Sequence, residues 1–155
     1  MIITKAEITD LQQILYLQYL AYQSEAILYN SFSIPPLTQT IDEIRQEYEN
    51  GLFLKAMNSK GNIIGSVRAY MAGGTAHIGK LIVCPKMQGQ GIGTKLLLAI
   101  EQEYPTARYE LFTGDKSIRN LQLYERLGYV KFKEQMIAEG LVFIYMEKYA
   151  SNRTI

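Results

Sequence analysis

The chain has 155 residues, a length that suits a single domain with one core. Hydrophobic residues make up 48% and charged residues 20% of the chain, a composition that argues against disorder. The formal net charge of +1 gives no reason to expect nucleic acid or an anionic membrane as the main partner. One cysteine and one histidine exclude an internal disulfide and argue against a zinc site. Without a signal-like N-terminus or a membrane-length apolar run, we expect a cytoplasmic protein with no metal.

The first third of the chain predicts one short strand and two helices. The β-branched run at 2–7 indicates the strand, and capping boxes that begin at Thr9 and Thr40 indicate the two helix N-termini. Apolar residues recur at helical spacing after each box. Between the helices, residues 28–38 hold two prolines among polar and aromatic side chains, which predicts an irregular loop.

The rest of the chain predicts a meander of strands followed by alternating helices and strands. Turn signals and helix-ending glycines or prolines separate predicted strands at 52–57, 63–71, 76–84, 108–113, 129–136 and 141–148 and predicted helices at 91–104 and 117–127. Such an order favours an α/β fold with a mixed, mainly antiparallel sheet and flanking helices. We expect one domain over 1–149 and a loose tail at 150–155.

The sequence MQGQGIG joins the third strand of the meander to the next helix. Its glycines stand at alternate positions, Gly89, Gly91 and Gly93. Glycine permits positive φ and removes the Cβ atom, so backbone N–H groups can converge on a ligand at the N-terminus of the helix. Because a helix N-terminus stabilises negative charge, the loop suits a phosphate group.

Two other phosphate-binding motifs fit the glycine loop less well, and a simple flexible turn is a third interpretation that glycine content alone leaves open. A dinucleotide fingerprint requires G-x-G-x-x-G, but here the third glycine comes one residue early. A P-loop requires glycine followed by Lys and Ser or Thr, whereas Gly93 is followed by Thr94 and Lys95. Glycine content alone is equally compatible with a flexible turn before a helix.

The residues around the loop form a longer pattern. A strand and a proline precede the glycines, in the run Leu81-Ile82-Val83-x-Pro85-x-x-Gln88-Gly89-x-Gly91-Ile92-Gly93. This run resembles the acetyl-CoA signature of the GNAT superfamily of N-acetyltransferases. The core of that signature is Q/R-x-x-G-x-G/A, which is matched by Gln88, Gly91 and Gly93.

A second motif follows at the separation that the same resemblance requires. The family's N-x-x-x-Y-x-x-x-G-F/Y pattern is matched by Asn120, Tyr124, Gly128 and Tyr129. The resemblance covers nearly the whole chain and is strongest from 77 to 130. It implies the GNAT fold and acetyl-CoA (coenzyme A) as co-substrate.

The resemblance also implies a set of cofactor-binding residues. Strand residues would pair with the pantetheine arm, amides of the glycine loop would hold the diphosphate, and one face of the later helix would lie at the acetyl thioester. The set is Leu81, Ile82, Val83, Gln88, Gly89, Gln90, Gly91, Ile92, Gly93, Thr94, Asn120 and Tyr124.

Tyr124 is the first of two residues with a predicted catalytic role. Four residues separate it from Asn120, so the two share a helix face, and periodicity alone would explain Tyr124 as a core residue. The resemblance instead implies that its hydroxyl lies near the sulfur. A thiol has a pKa of about 8.5 against about 10 for tyrosine, so Tyr124 would act as a hydrogen-bond donor that finishes as general acid.

The second predicted catalytic residue is His77, as general base. An alkyl amine has a pKa of about 10.4, so a base, or a site that lowers that pKa, is needed at neutral pH. His77 begins the strand that leads to the glycine loop, and histidine titrates near neutrality. Glu110 on the next strand is a rival, a water molecule is another, and a lone histidine is often only structural. Cys84 precedes a proline and is interpreted as a packed thiol.

Three functions follow from these patterns. The first is an N-acetyltransferase that moves an acetyl group from acetyl-CoA to a primary amine of a small molecule or peptide, by direct attack on the thioester and without a metal. The second is a binding module that senses acyl-CoA without turnover. The third is a nucleotide-phosphate enzyme, which the absent GK[ST] order disfavours. The acceptor and the acyl-chain length stay open, and the resemblance makes a homodimer possible.

Overall fold

The computed structural model describes residues 1–105 and 107–150, which form one seven-stranded sheet with helices around it. Strands and helices are numbered separately along the chain. The strands are β1 Ile2–Lys5, β2 Leu52–Met57, β3 Ile63–Ala72, β4 Thr75–Val83, β5 Arg108–Gly114, β6 Val130–Ala138 and β7 Leu141–Tyr149. The helices are α1 Leu11–Ala21, α2 Gln23–Leu28, α3 Pro35–Thr38, α4 Ile41–Glu49, α5 Ile92–Gln102 and α6 Ile118–Arg126, and short 3-10 turns lie at Ile8–Asp10 and Pro85–Met87.

The sheet has the strand order β1-β2-β3-β4-β5-β7-β6. Every neighbouring pair is antiparallel except β4 and β5, which are parallel. The parallel pair arises because α5 crosses over between the two strands, as a parallel connection requires. The predicted α/β fold with a mainly antiparallel sheet is therefore confirmed.

The parallel pair β4–β5 is paired over only part of its length. Thr75 to His77 match Arg108 to Glu110, and no residue beyond them is paired in the described parts of these strands. Since both strands continue for several residues, they separate toward their C-terminal ends. The sheet consequently has an opening in its middle, at the end of β4 that leads to the glycine loop.

A β-bulge lies on β4 beside this opening. On the β3 side, Ser66 pairs with Ile82 and Arg68 pairs with Gly79, so two β4 residues oppose one residue of β3. The first of the two, Lys80, has a φ of 49°, which is rare for a residue with a side chain. Bulges bend a strand and redirect its side chains, and they are frequent beside active sites.

Two apolar clusters cover opposite faces of the sheet. Leu96, Leu97 and Ile100 of α5 are fully buried in the larger cluster, which includes Leu54 of β2. The smaller cluster packs α1 and α4 against Phe53, the residue before Leu54. Because consecutive strand residues face opposite sides, α5 and the α1–α4 pair sandwich the sheet.

The helices near the N-terminus differ in detail from the sequence prediction. The predicted capping box at Thr9 is wrong, because Glu7 and Asp10 form the reciprocal pair around a 3-10 turn and α1 starts after it. The capping box at Thr40 is confirmed by its reciprocal bonds with Glu43, of 2.9 and 3.2 Å. Tyr22 interrupts the first predicted helix between α1 and α2.

The remaining boundaries follow the prediction with small shifts. The loop predicted at 28–38 contains one helical turn, α3, which two prolines begin. Helix α5 ends at Gln102, before the predicted Tyr104, since a proline at 105 disfavours helical backbone just before it. The predicted tail lies outside the described residues after Ala150, whose N–H bonds the carbonyl of Ala107 at 3.1 Å.

The part of the chain that the structure describes contains neither a candidate membrane-spanning helix nor a candidate metal site. No helix within 1–105 or 107–150 combines the length and the apolar composition that a bilayer crossing requires. In the same ranges, no three His, Cys, Asp or Glu side chains group together as a metal site would need.

Candidate active site

A cleft of about 760 Å³ runs from the end of β4 past the glycine loop to α6, with α2 along it. We call it the glycine-loop cleft. Ten of the twelve residues predicted to bind the cofactor line it, namely Leu81, Ile82, Val83, Gln88, Gly89, Gly91, Ile92, Gly93, Thr94 and Asn120. Gln90 is exposed beside the cleft, and Tyr124 lines the neighbouring cavity described below.

The backbone of the glycine loop has the conformation that its sequence predicts. Gly89 and Gly91 have φ values of 81° and 80°, and Gly91 is the N-cap of α5. The N–H groups of the first helical turn have no partner inside the helix, so those from Ile92 to Thr94 are available to a ligand. With the positive end of the helix dipole, they make the loop suitable for a diphosphate.

Three cationic side chains also line the glycine-loop cleft, and the sequence analysis missed them. They are Lys116, Arg119 and Arg126. Arg119 donates a 2.7 Å hydrogen bond to Oε1 of Gln88, which joins α6 to the glycine loop. The seven-residue spacing of the two arginines on one helix is the sequence signal that could have revealed them. Their charges suit an anionic ligand.

A second cavity, of about 300 Å³, fills the opening between β4 and β5. We call it the inner cavity. Strand β4 contributes the residues from Ile78 to Leu81, and β5 those from Leu111 to Gly114. The segment that follows α2 and strand β7 cover this cavity. The covering residues are Tyr29, Ile34, Pro35 and Pro36 from the segment and Leu141 and Phe143 from the strand.

The two cavities meet at four residues. Tyr22, Glu25, Leu81 and Asn120 line both of them. A ligand bound along the glycine-loop cleft would therefore meet, at these residues, a second ligand bound in the inner cavity. The arrangement suits the transfer of a group between two bound molecules.

Tyr124 lies at the inner-cavity side of this junction. It is 6% exposed, and its hydroxyl forms no hydrogen bond with the residues that the structure describes. Burial raises the pKa of Tyr124 above its usual 10.0, and the nearby Tyr22 and Glu25 raise it further. The hydroxyl is therefore protonated at neutral pH and free to donate to a ligand.

Glu25 is the acidic side chain at the junction, and the sequence analysis missed it. Its Oε2 accepts a hydrogen bond from Oγ of Ser117, the buried N-cap residue of α6. Since 92 positions separate the two residues, no local pattern could have revealed the contact. The bond fixes the carboxylate where both cavities are open to it.

The structure does not bring His77 or Glu110 to the junction, and neither lines either cavity. The ring of His77 stacks on Tyr70 with 4.9 Å between centroids, and its Nδ1 lies 3.6 Å from Glu110. Glu110 accepts a 2.9 Å hydrogen bond from Arg108. Both residues lie where β4 and β5 are still paired, before the strands separate. Cys84 packs against the larger apolar cluster, as expected.

Comparison with known proteins identifies the family. A family model described as "Acetyltransferase (GNAT) domain" matches residues 21–150. The chain belongs to the GNAT acetyltransferase family. Among curated relatives, S-(2-succino)cysteine N-acetyltransferase of Bacillus subtilis (strain 168) is 31% identical to this GNAT chain over 153 residues, covering 90% of each chain.

Solved structures share the GNAT fold. The ribosomal-protein-S18-alanine N-acetyltransferase of Escherichia coli superimposes with a TM-score of 0.81 at 19% identity, covering 99% of this chain and 96% of that one. The PaiA N-acetyltransferase of Thermoplasma acidophilum, solved in complex with coenzyme A, gives a TM-score of 0.80 at 17% identity and covers 96% and 98%. The predicted family and enzyme class are confirmed. The protein is an N-acetyltransferase that uses acetyl-CoA as co-substrate.

Proposed function

We propose that the acceptor is a small primary amine bound in the inner cavity and acetylated at the junction of the two cavities. The observation that carries this proposal is the set of four residues that line both cavities. A cavity of about 300 Å³ lies at the small end of ligand sites, and its cover by α2 and the following loop suits a whole small molecule better than a peptide.

The curated relative supports one class of amine. That protein's name states that it acetylates S-(2-succino)cysteine. Such a molecule carries one primary α-amine, a thioether and several carboxylates. At 31% identity over 90% of both chains, we propose that this chain acetylates the α-amine of an S-substituted cysteine or a similar small amino acid.

The glycine-loop cleft is proposed to hold the co-substrate. The free N–H groups of Ile92 to Thr94 and the side chains of Lys116, Arg119 and Arg126 would hold the phosphates. The strand residues Leu81 to Val83 would lie along the pantetheine arm, and Asn120 would lie at its reactive end. Acetyl-CoA supplies the acetyl group as a thioester, which this chain has to orient toward the inner cavity.

Tyr124 is proposed as the proton donor. As the new C–N bond forms and the C–S bond breaks, its hydroxyl gives a proton to the departing sulfur. A phenol is protonated at neutral pH, and burial raises the pKa of Tyr124 further, so the donor form is the resting form. General acid catalysis of this kind contributes typically 10²–10⁴-fold.

Glu25 is proposed as the proton acceptor in place of His77 and Glu110. It lines both cavities, and its carboxylate is fixed by Ser117. It would attract the ammonium form of the amine and take one proton from it, which makes the nitrogen nucleophilic, and it would then release that proton to solvent. The nitrogen loses a second proton as the amide forms, and this proton restores the hydroxyl of Tyr124 after Tyr124 has protonated the sulfur, so the net products are the amide, the thiol and one released proton.

The experiment that tests the proposed function measures thiol release from acetyl-CoA in the presence of different amines. We expect kcat/KM for S-(2-succino)cysteine to exceed that for spermidine, an aminoglycoside and an N-terminal alanine peptide by at least about 100-fold. A preference for one of the other amines would overturn the acceptor class. Intact acetyl-CoA binding without turnover of any of the four amines would overturn the acceptor class as well. The cytoplasmic location, the homodimer and the single domain over 1–149 stay predictions.

A further inference from the structure

One wall of the inner cavity carries a cation with no anionic partner. Lys80 lines this cavity from the β-bulge of β4. The structure gives its ammonium group neither a hydrogen bond nor an ion pair with any residue in 1–105 or 107–150. A lysine in a partly enclosed site usually has a carboxylate beside it, because an unpaired buried charge is destabilising.

A second cation, Arg68, lies behind the same wall. Its side chain is 5% exposed and its Nε is buried without a partner among the described residues. Its Nη2 donates a 2.6 Å hydrogen bond to Oε1 of Gln18, and Nε2 of Gln18 donates one of 2.8 Å to the carbonyl of Pro36. Since Pro36 lines the inner cavity, this chain of hydrogen bonds connects Arg68 to the cavity wall.

The charges around these two cations do not balance. Glu47 is the carboxylate that pairs with Arg68, at 3.2 Å. Burial, with the nearby positive charge of Arg68, lowers the pKa of Lys80, and Glu47 opposes that change. Glu47 contacts Arg68 and not Lys80, so among the described residues these two cations have one paired carboxylate between them, and the wall on the Lys80 side has an excess of positive charge.

Negative charge in the inner cavity comes from Glu25. It is the acidic side chain among the described residues that line this cavity, and it lies at the junction with the glycine-loop cleft. A cavity lined by both a carboxylate and a lysine is complementary to a molecule that carries both an ammonium and a carboxylate.

We propose that Lys80, supported by Arg68, binds a carboxylate of the acceptor amine. The inference rests on the proposed function and adds a binding subsite to it. The amine of the acceptor lies at Glu25 and Tyr124, and the carboxylate completes the charge balance at Lys80. Lys80 is accordingly a specificity-determining residue, which selects carboxylated amines over simple amines.

The first test compares two amines that share a thioether. S-(2-carboxyethyl)cysteine carries two carboxylates, whereas S-ethylcysteamine carries none. We expect Lys80→Met to lower kcat/KM for the carboxylated amine by about 10- to 100-fold, mainly through KM, and to change that for S-ethylcysteamine by less than about 3-fold. Lys80→Arg, which keeps the charge, should recover part of the loss. Equal losses for both amines would overturn the subsite.

The second test does not depend on turnover. N-acetyl-S-(2-carboxyethyl)cysteine is titrated calorimetrically into protein saturated with coenzyme A. Lys80→Met should weaken binding by about 10- to 100-fold, whereas Lys60→Met, in the exposed turn between β2 and β3, should not. An unchanged Kd in the Lys80→Met variant, with the fold verified by circular dichroism, would overturn the subsite. If neither amine is acetylated, the proposed function fails and this titration still decides the role of Lys80.

Discussion

The hydroxyl of Tyr29 donates a 2.9 Å hydrogen bond to Oδ1 of Asp115 and accepts one of 2.7 Å from the backbone N–H of Lys116. Burial, together with the Asp115 carboxylate, raises the pKa of Tyr29 to about 12, so the donor is protonated at neutral pH. Gly114 makes the contact possible, because a Cβ atom there would collide with the tyrosine ring. The two bonds attach the end of α2 to the loop before α6 and close the inner cavity.

Tyr29→Phe removes both bonds but keeps the ring. We expect the free energy of unfolding to fall by about 1–2 kcal/mol, since a hydrogen bond contributes about 1 kcal/mol net. The KM for the amine should rise about 3- to 10-fold, because the cover of the inner cavity loses its attachment, while the Kd of acetyl-CoA should rise by a smaller factor, because α2 and Lys116 also line the glycine-loop cleft. Urea unfolding, steady-state kinetics and calorimetry measure the three quantities. A rise in the Kd of acetyl-CoA with an unchanged KM for the amine would contradict this role.

Tyr124→Phe tests the proton donor. The hydroxyl has no protein partner among the described residues, so its removal should leave the fold and the Kd of acetyl-CoA unchanged. We expect kcat to fall by roughly 10²-fold or more, the range of general acid catalysis. Tyr16→Phe is the matched control, since Tyr16 is 64% exposed on α1. A decrease of less than about 3-fold in kcat would remove Tyr124 from the chemistry.

The raised pKa of Tyr124 also predicts the alkaline side of the pH profile. A raised folded-state pKa means that the protonated donor persists as the pH rises past 10.0, the usual value for tyrosine. We therefore expect kcat to stay constant from pH 8 to about pH 10, where free tyrosine would be half deprotonated. Stopped-flow rates at saturating amine measure it. Loss of kcat with a midpoint near pH 8 or 9 would show that another group donates the proton.

Glu25→Gln tests the proton acceptor. Glutamine keeps the size of the side chain but accepts protons poorly, so kcat/KM should fall by roughly 10²-fold or more. The loss should be smaller for an acceptor whose amine has a lower pKa, because less of it is protonated. Glu125→Gln, on the exposed face of α6 and outside both cavities, is the control. An equal loss for amines of every basicity would indicate that Glu25 only positions the substrate.

Much of the fold was predictable from the sequence, because its signals are local. Alternating apolar residues, turn glycines and the Thr40 capping box lie within a few positions of the elements they specify. The glycine loop was predictable for the same reason. The break at Tyr22 was not, since its hydrophobic spacing continues that of α1 and only packing distinguishes the two helices.

The inner cavity was less predictable, because its charged residues depend on distant contacts. Glu25 acquires its position through Ser117, which lies 92 positions away. Lys80 is directed by a bulge that exists only in the pairing of β4 with β3. His77 had a suitable residue type and strand, but its register on β4 places it beside Glu110, before the opening between the strands begins.

Arg119→Gln tests the cations of the glycine-loop cleft. Arg119 lines the cleft and holds Gln88 at 2.7 Å, so its loss removes one positive charge and one contact that orders the glycine loop. We expect the Kd of acetyl-CoA to rise about 5- to 20-fold at 20 mM salt, and by a smaller factor at 500 mM salt, where screening already weakens the attraction. The amine KM should change little, because the residue does not line the inner cavity.

Arg45→Gln provides the control for this charge change. Arg45 lies on α4, paired with Asp42 and outside both cavities, so its neutralisation alters the net charge equally without altering the cleft. Isothermal titration of each variant with acetyl-CoA at the two salt concentrations separates local from general electrostatics. If both variants weaken binding equally, the attraction comes from the whole-protein field. If only Arg119→Gln does so, the phosphates of the co-substrate lie beside α6 and the glycine loop, as the geometry of the cleft predicts.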